Sequence, residues 1–303
     1  MKLITRSDFD GLACGAILLN LGLINDWEFV HPKDLQDGLV EVTDNDILAN
    51  VPYVPGCRLW FDHHASETDR LGINSYFEGI SRPAQSCARV IYDYYGGDSK
   101  LSQFAEMIRY VDKVDSADLS IEEIREPRGW ILLGFIMDPR TGLGRFRDFT
   151  ISNYELMKKL APACSSMNIE EILDLPDVKE RVSVYFEQEK KFVDMLEKHC
   201  KIDGNVIFAD LRDVDVIYAG NRFTIYTLYP EQNISVWVVD GRNKQNCVIT
   251  VGYSIIDRSA TVDVGAMLVK YGGGGHMQVG TCQVLYEEAE TAIADIINKC
   301  KAS

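Results

Sequence analysis

Long apolar runs, paired cysteines and an excess of basic residues are all missing from this 303-residue chain. No apolar run approaches the roughly 20 residues that a membrane-spanning helix needs. The chain reaches Asp8 from its start without a small-residue cleavage site, which is not typical of a signal peptide. With 46% hydrophobic and 25% charged residues, the composition is that of a globular protein. These features predict a cytoplasmic protein and exclude the secreted, membrane, fibrous and disordered classes.

The 8 cysteines form no CxxC pair. Zinc-knuckle and dithiol motifs depend on that spacing, so neither kind of site is supported. Several cysteines lie in apolar runs, as Cys87 does. We therefore predict buried thiols in a reducing compartment.

Acidic residues outnumber basic ones by 46 to 31, which gives a formal net charge of -15. Such a chain repels long nucleic acids unless a local basic channel or bound metal ions offset the repulsion. The charge balance therefore disfavours binding to long duplexes and processive cleavage of single strands. It does not exclude a small phosphorylated substrate.

Strand and helix patterns alternate in the first part of the chain. Short apolar runs predict strands at 2–6, 27–31, 39–43 and 58–61, and helical patterns predict helices at 12–23, 84–95 and 101–114. This alternation, with polar loops at the strand ends, predicts a parallel, doubly wound α/β domain.

The pattern changes near residue 202. Residues 121–200 are mostly helical in pattern, with a long amphipathic segment at 178–199. Strands are then predicted at 205–210, 223–228, 234–239, 248–253 and 278–285, with helices at 263–270 and 287–300. We predict a domain over 1–201 with a helical extension, and a smaller mixed α/β domain over 202–303.

Two carboxylates follow the first predicted strand, in Ser7-Asp-Phe-Asp-Gly. Alternate residues of an extended segment point to the same side, so Asp8 and Asp10 can converge on one hard cation. The same residues could instead cap the helix that follows Gly11. Both interpretations stay open from this segment alone.

Asp62-His63-His64 ends another predicted strand and contains two of the five histidines. Adjacent side chains on a strand diverge, so we expect one histidine to bind a metal and the other to face substrate. Asp112 and Asp115 lie toward the end of a predicted helix. Carboxylates there face the unfavourable end of the helix dipole, so a cation is expected nearby, and either a bound metal or Lys113 with solvent would satisfy them.

Four successive glycines, Gly272 to Gly275, precede His276. Such a run costs chain entropy, a cost explained if the backbone approaches a ligand and presents N–H groups to anionic oxygens. Arg258 lies upstream and could clamp a phosphate. These residues predict a phosphate-binding segment made of Arg258, Gly273, Gly274, Gly275 and His276.

Together these four segments resemble the DHH phosphoesterase family with its associated C-terminal domain. Within that family, the chain looks most similar to the exopolyphosphatase-like and short-oligonucleotide phosphatase branch. The resemblance spans nearly the whole chain. It implies a metal-dependent phosphohydrolase acting on phosphoester or phosphoanhydride bonds of polyphosphate, bisphosphonucleosides or short oligonucleotides. It also implies a divalent metal cofactor, Mn²⁺ or alternatively Mg²⁺.

The resemblance also implies roles for individual residues. Asp8 and Asp10 would each favour one of two divalent cations, and His63 would complete a metal shell. Asp62 would orient the imidazole of His63 from behind, and His64 would face the phosphoryl oxygens. His276 and the preceding glycines would hold the phosphate of the substrate.

Two positions of the implied metal site stay open. The aspartate of the family's fourth motif, which lies on the predicted helix after Asp62-His63-His64, is either Asp112 or Asp115. The bridging aspartate of the second motif is Asp44 or Asp46, which follow the predicted strand at 39–43. An alignment that places Asn50 there ranks last, and it would weaken a two-metal site.

An alternative function is a nucleotide- or phosphate-binding module that has kept the fold and lost a competent metal site. The metal content of the purified protein would discriminate between the two. In either case the predicted partner is a small phosphorylated molecule, with no long duplex and no membrane. A homodimer is left open.

Overall fold

The computed structural model describes residues 1–64 and 77–301. The chain divides into two compact units, and neither is continuous in sequence. Unit 1 consists of Met1–Asp118 and Pro127–Tyr185, and unit 2 consists of Leu119–Glu126 and Phe186–Ser303. The later division therefore falls inside a long helix rather than at residue 202, where the β-rich pattern of the sequence begins.

The described part of unit 1 contains a five-stranded parallel sheet with the strand order β2-β1-β3-β4-β5. Its strands are β1 (Lys2–Thr5), β2 (Asp26–Phe29), β3 (Asp46–Ala49), β4 (Leu59–Asp62) and β5 (Gly79–Ser81). Strand β3 is buried along its whole length, as is typical of a parallel sheet covered on both faces.

Helices flank this sheet, so the predicted parallel α/β class is confirmed. They are α1 (Phe9–Asn20), α2 (Pro32–Gln36), α3 (Cys87–Tyr94), α4 (Asp98–Leu101) and α5 (Ala105–Asp115). After α6 (Ile121–Arg125), which belongs to unit 2, come α7 (Gly129–Met137), α8 (Asn153–Ser166), α9 (Ile169–Leu173) and α10 (Pro176–His199). Among the described residues, no helix combines the length and the apolar character needed to cross a lipid bilayer.

Helix α1 lies close against the sheet, and two glycines make this possible. A Cβ on Gly11 would lie 2.0 Å from the carbonyl oxygen of Arg6, and one on Gly15 would lie 1.9 Å from the indole of Trp27. The helix starts at Asp8, whose carboxylate accepts a hydrogen bond from the backbone N–H of Gly11. Asp8 therefore both caps helix α1 and lies just after the end of β1.

The strand predicted at 39–43 is wrong, since β3 begins only at Asp46. Val40 and Val42 are half-buried against the core residues Leu48 and Trp60, so their alternation imitates a strand. Both sides of β1 are already paired, with β2 and β3. The segment around Val40 therefore packs without joining the ladder.

Unit 2 is built on a six-stranded mixed sheet with the order β10-β11-β9-β8-β7-β6. Its strands are β6 (Cys200–Asp203), β7 (Val206–Asp210), β8 (Ile234–Asp240), β9 (Cys247–Tyr253), β10 (Gly274–His276) and β11 (Val279–Val284). Besides α6 and the last part of α10, the described part of unit 2 contains the helices α11 (Thr224–Leu228), α12 (Val264–Val269) and α13 (Tyr286–Lys301). Alternate residues of β8 and β9 form one core with Ile293 and Ile296 of α13.

The strand predicted at 223–228 is also wrong, because Thr224–Leu228 is helix α11. Its β-branched composition favours a strand. The Asn221 side chain accepts a hydrogen bond from Phe223 N–H just before the helix, and Arg125 of α6 donates to the Thr227 carbonyl. This local hydrogen bond and the tertiary contact from Arg125 together override the strand preference.

All eight cysteines are free thiols, as their spacing predicts. Cys57 and Cys200 are half-buried, and the others are buried. Burial raises the pKa of Cys87 to about 12, so this thiol stays protonated.

Candidate metal and active site

Three neighbouring strands of unit 1 end in polar residues at one edge of the sheet. Asp8 follows β1, Asn50 follows β3, and Asp62 ends β4. Because the strands are parallel and paired in register, with Ile4 opposite Leu48 and Ala49 opposite Phe61, their carboxyl ends meet. This edge is where open α/β sheets bind their ligands.

Asp10, His63 and Asp115 form a cluster at this edge, which we call the metal cluster. Each offers one ligand atom, and these atoms lie within 4.8 Å of one another. Nε2 of His63 is 3.4 Å from a carboxylate oxygen of Asp115 and 3.8 Å from one of Asp10. A first-row divalent ion with bonds of about 2.1 Å holds its ligand atoms about 3 to 4.2 Å apart. Both distances from Nε2 of His63 lie in this range.

The protonation of His63 also fits a metal ligand. Its Nδ1 lies 3.2 Å from the carbonyl oxygen of Ala84, which can only accept, so Nδ1 carries the proton. In the neutral imidazole, Nε2 is then left with a lone pair. This atom is buried, has no hydrogen-bond partner among the described residues, and faces two further acceptors. A cation would satisfy all three acceptors.

The carboxylate of Asp10 is held by the amino end of α3. Backbone N–H groups of Cys87 and Ala88 donate to its two oxygens at 2.9 and 2.7 Å. Burial, followed by the charge of Asp8, raises the pKa of Asp10 to about 7 and outweighs these two hydrogen bonds. Without a cation, the ionised form of Asp10 is therefore energetically costly.

Asp115 has a similarly unfavourable environment for its ionised form. Burial and then the charges of Asp10 and Asp8 raise the pKa of Asp115 to about 7. Two neighbouring carboxylates with pKa values near neutrality bind a divalent ion well, because the ion removes both the repulsion and the desolvation cost of their ionised forms.

Asp112, the other candidate of the fourth motif, has a different environment. Its carboxylate accepts a hydrogen bond from Ser86 Oγ at 2.7 Å and from Arg89 Nε and Nη2 at 2.9 and 2.8 Å. These contacts join α5 to the start of α3. The structure thus brings Asp115 to the metal cluster, whereas the buried Asp112 forms an ion pair with the half-buried Arg89.

Neither Asp44 nor Asp46 lies at the metal cluster, so the prediction that one of them is the bridging aspartate is corrected. Asp44 is exposed, and Asp46 begins β3 at the opposite end from the cluster. The Asp46 carboxylate accepts hydrogen bonds from the backbone N–H and the hydroxyl of Thr43, at 2.7 and 2.9 Å. The residue at the carboxyl end of β3 is Asn50.

Asn50 is 1% exposed and has a left-handed backbone, with φ of 58°. Its Nδ2 donates to Asp8 at 3.2 Å, and its Oδ1 has no hydrogen-bond partner within the described residues. A non-glycine residue in this conformation is uncommon, although asparagine adopts it more readily than most residues. Strain of this kind often marks a functional position.

Asp62 does not orient His63, contrary to the expectation from the motif. Its carboxylate instead accepts from Nδ1 of His64 at 2.9 Å and from the backbone N–H of His64 at 3.2 Å. Burial lowers the pKa of His64, but the hydrogen bond and charge of Asp62 more than offset it, so the net pKa is raised. The orienting group of His63 is the Ala84 carbonyl.

Comparison with known proteins agrees with this geometry. No family model and no curated protein matches the chain. Among solved structures, the pGpG-specific phosphodiesterase PggH from Vibrio cholerae is 45% identical, with 99% of each chain covered and a TM-score of 0.88. The chain belongs to the DHH phosphoesterase family.

Two more distant structures were also found. An exopolyphosphatase-related protein from Bacteroides fragilis is 13% identical, with a TM-score of 0.55 and coverage of 99% of this chain and 92% of its own. RecJ from Thermus thermophilus, solved with Mn²⁺, is 12% identical, with a TM-score of 0.47 and coverage of 99% and 51%. As a member of the DHH family, the chain is a metal-dependent phosphohydrolase that uses a divalent cation.

Two arginines near the metal cluster, Arg6 and Arg140, were not identified as site residues from the sequence. Arg6 Nε lies 3.2 Å from a carboxylate oxygen of Asp8. Burial lowers the pKa of Arg140, but the carboxylates of Asp138, Asp8 and Asp115 outweigh it and raise the pKa. Arg6 could have been found because it precedes the first motif. Nothing in the spacing of Arg140 connects it with the cluster.

The end of the glycine-histidine run is strand β10, which pairs with β11 in a tight hairpin. A Cβ on Gly273 would lie 2.3 Å from the Thr281 carbonyl oxygen, and one on Gly275 would lie 2.3 Å from that of Val279. Close packing of the backbone thus explains two of the glycines without a ligand. A Cβ on Gly274 meets nothing within 4 Å.

Arg258 and His276 lie at the same end of the unit 2 sheet. The loop that carries Arg258 leaves β9 at Tyr253, whose N–H donates to the Gln278 carbonyl. The loop ends at Val264, whose N–H donates to the Met277 carbonyl. Both ends of the loop are therefore attached to the hairpin turn that follows His276.

The different environments of Asp112 and Asp115 predict opposite effects for one substitution. Asp112→Asn should lower the free energy of unfolding by about 2 kcal/mol, because it weakens the charge-assisted hydrogen bonds that the buried carboxylate accepts from Arg89. It should leave the metal content unchanged. Asp115→Asn should reduce Mn²⁺ binding with little loss of stability. Urea denaturation and equilibrium dialysis of both variants measure this, and loss of metal in Asp112→Asn alone would contradict the assignment.

Proposed function

We propose that this protein hydrolyses the phosphodiester bond of short linear dinucleotides such as pGpG, with Mn²⁺ held by Asp10, His63 and Asp115. The unpaired, buried Nε2 of His63 between two carboxylates is the observation that carries the metal site. The dinucleotide substrate is supported by 45% identity to a pGpG-specific phosphodiesterase over 99% of both chains.

The residues of the metal cluster would act by holding the cation and restraining each other. A divalent cation bound there supplies Lewis acidity toward phosphoryl oxygens and acidifies a water molecule. The amides of Cys87 and Ala88 fix the Asp10 carboxylate, and the Ala84 carbonyl keeps the proton of His63 on Nδ1. The cluster is thereby organised before the ligand arrives, which lowers the cost of ordering it in the transition state.

His64 would contact the phosphoryl group of the substrate. Asp62 keeps a proton on Nδ1 of His64 and raises its pKa, which favours the imidazolium form. The side chain is partly exposed, so substrate can reach it. A charged imidazole can donate a hydrogen bond to a phosphoryl oxygen or a proton to the leaving oxygen.

The substrate proposal can be tested on the full chain with Mn²⁺ and four substrate classes: pGpG, linear dinucleotides with other bases, 3′,5′-bisphosphonucleosides and polyphosphate. Products are separated by chromatography, and free phosphate is measured separately. We expect pGpG to be cleaved with the highest kcat/KM, and to be left intact by His63→Gln. His199→Gln, which alters a histidine at the end of α10, is the matched control.

The possible outcomes of this assay separate two claims. A preference for polyphosphate would contradict the dinucleotide substrate. Equal activity in the His63→Gln variant would contradict the metal cluster. Absence of turnover on every substrate, with metal bound, would favour the alternative of a phosphate-binding module.

We propose that unit 2 binds a phosphate of the substrate through Arg258 and His276. His276→Ala should then raise KM about tenfold, which corresponds to the loss of one hydrogen bond to a charged group. The bound Mn²⁺ should not change, because the metal cluster lies within unit 1. Met277→Ala, at the exposed neighbouring position, is the matched control. Unchanged kinetics in His276→Ala would reduce the run to a structural hairpin.

A further inference from the structure

Asn50 lies where a parallel strand of the DHH domain delivers a side chain to the metal cluster edge, yet it brings no charge. The amide is 1% exposed, and its backbone has φ of 58°. Nδ2 is committed to Asp8 at 3.2 Å, and Oδ1 is buried without a hydrogen-bond partner among the described residues. A carboxylate at this position would add one negative charge next to Asp8.

Asp8 differs from the members of the metal cluster in how its oxygens are used. One oxygen accepts from the backbone N–H of Gly11 at 2.9 Å and from Asn50. The other lies 3.2 Å from Nε of Arg6. Both oxygens of Asp8 therefore already have partners, whereas Nε2 of His63 has none.

The charges around Asp8 and around the metal cluster are also unequal. Asp10 and Asp115 bring two negative charges to the metal cluster when ionised, and Nε2 of His63 lies near both carboxylates. At Asp8, one negative charge is matched by the guanidinium of Arg6, and Asn50 adds nothing. A second divalent cation beside Asp8 would meet little net attraction, and it would have to displace Arg6.

We propose that the protein holds one divalent cation tightly, at Asp10, His63 and Asp115, and that Arg6 and Asn50 take the place of a second cation beside Asp8. Arg6 then provides a fixed positive charge at the edge of the sheet, and Asn50 holds the Asp8 carboxylate toward it. This inference rests on the metal cluster of the proposed function and concerns the number of ions.

Asn50→Asp provides the direct test, because aspartate has nearly the same size and also tolerates a left-handed backbone. Equilibrium dialysis against Mn²⁺, followed by metal analysis, counts the ions per chain. We expect one tightly bound ion in the wild type. In Asn50→Asp a second ion should bind about tenfold or more tightly than in the wild type, because a new carboxylate faces it. Asn45→Asp adds the same charge in the exposed turn before β3 and should have no effect.

Arg6→Gln tests the same inference from the other side and serves if Asn50→Asp fails to fold in a thermal melt. Removal of the guanidinium should also strengthen binding of a second ion. Two tightly bound ions in the wild type would overturn the inference, as would a second ion that is unaffected by either substitution. Absence of any bound ion would instead contradict the metal cluster itself, so the two failures are distinguishable.

Discussion

Asp10→Asn should abolish tight Mn²⁺ binding and lower kcat/KM by about a thousandfold or more. The substitution removes one of two carboxylates from a dication site, where each contributes several kcal/mol of attraction. It also places an amide opposite the backbone N–H donors of Cys87 and Ala88, which now hold a carboxylate oxygen each. Isothermal titration calorimetry with Mn²⁺ measures the loss of affinity, and steady-state kinetics on pGpG measure the loss of kcat/KM.

Asp34→Asn is a suitable control for this experiment, because Asp34 is an exposed carboxylate in the first turn of α2. It should bind Mn²⁺ and turn over substrate as the wild type does. Near-UV circular dichroism of both variants checks that the fold is kept. Wild-type turnover in Asp10→Asn at saturating Mn²⁺ would show that the catalytic cation is held elsewhere.

The stabilisation of the protein by Mn²⁺ should grow steeply as the pH rises from 5.5 to 8. In the metal-free folded chain the pKa of Asp10 is about 7, compared with an ordinary value of 3.8. Between these values the folded state binds more protons than the unfolded state, so the metal-free protein loses stability as the pH rises and levels off above pH 7. The full difference is on the order of 4 kcal/mol for one such group.

Mn²⁺ reverses this loss because it displaces the protons and pairs with both carboxylates. Thermal melts with Mn²⁺ and with a chelator, at several pH values, give the difference directly. The gain in Tm should be small at pH 5.5 and largest at pH 8. In Asp10→Asn the metal-free Tm should depend less on pH. A metal-free Tm that rises between pH 5 and 7 would contradict the raised pKa values.

The parallel fold of unit 1 and the location of its Ser7-Asp-Phe-Asp-Gly and Asp62-His63-His64 segments were predictable from the sequence. Alternating strands and helices imply that strand ends meet at one edge, which is where Asp8 and the Asp62-His63-His64 segment lie. The position of β3 was not predictable in this way, because Val40 and Val42 pack on the core with a strand-like alternation. With the strand placed at 39–43, the residues predicted to follow it are Asp44 and Asp46 rather than Asn50.

Other features depend on contacts that a sequence pattern does not contain. Asp112 and Asp115 lie three residues apart on one helix, and only the partner Arg89 on α3 separates their roles. The Ala84 carbonyl, rather than Asp62, faces Nδ1 of His63, because the chain returns after β5 to that point. The segment at 223–228 becomes a helix through its contacts with Asn221 and Arg125.

The discontinuity of unit 2 has a consequence for the synthesis of the protein on the ribosome. Helix α6 is made early, but Arg125 and its partner Thr227 are 102 residues apart. At about 5–20 residues per second, α11 follows about 5 to 20 seconds later. Ile124, fully buried in the finished protein, has no native partner from α11 during that interval. The nascent chain therefore carries helix α6 without its contact to α11 until a large part of unit 2 has been made.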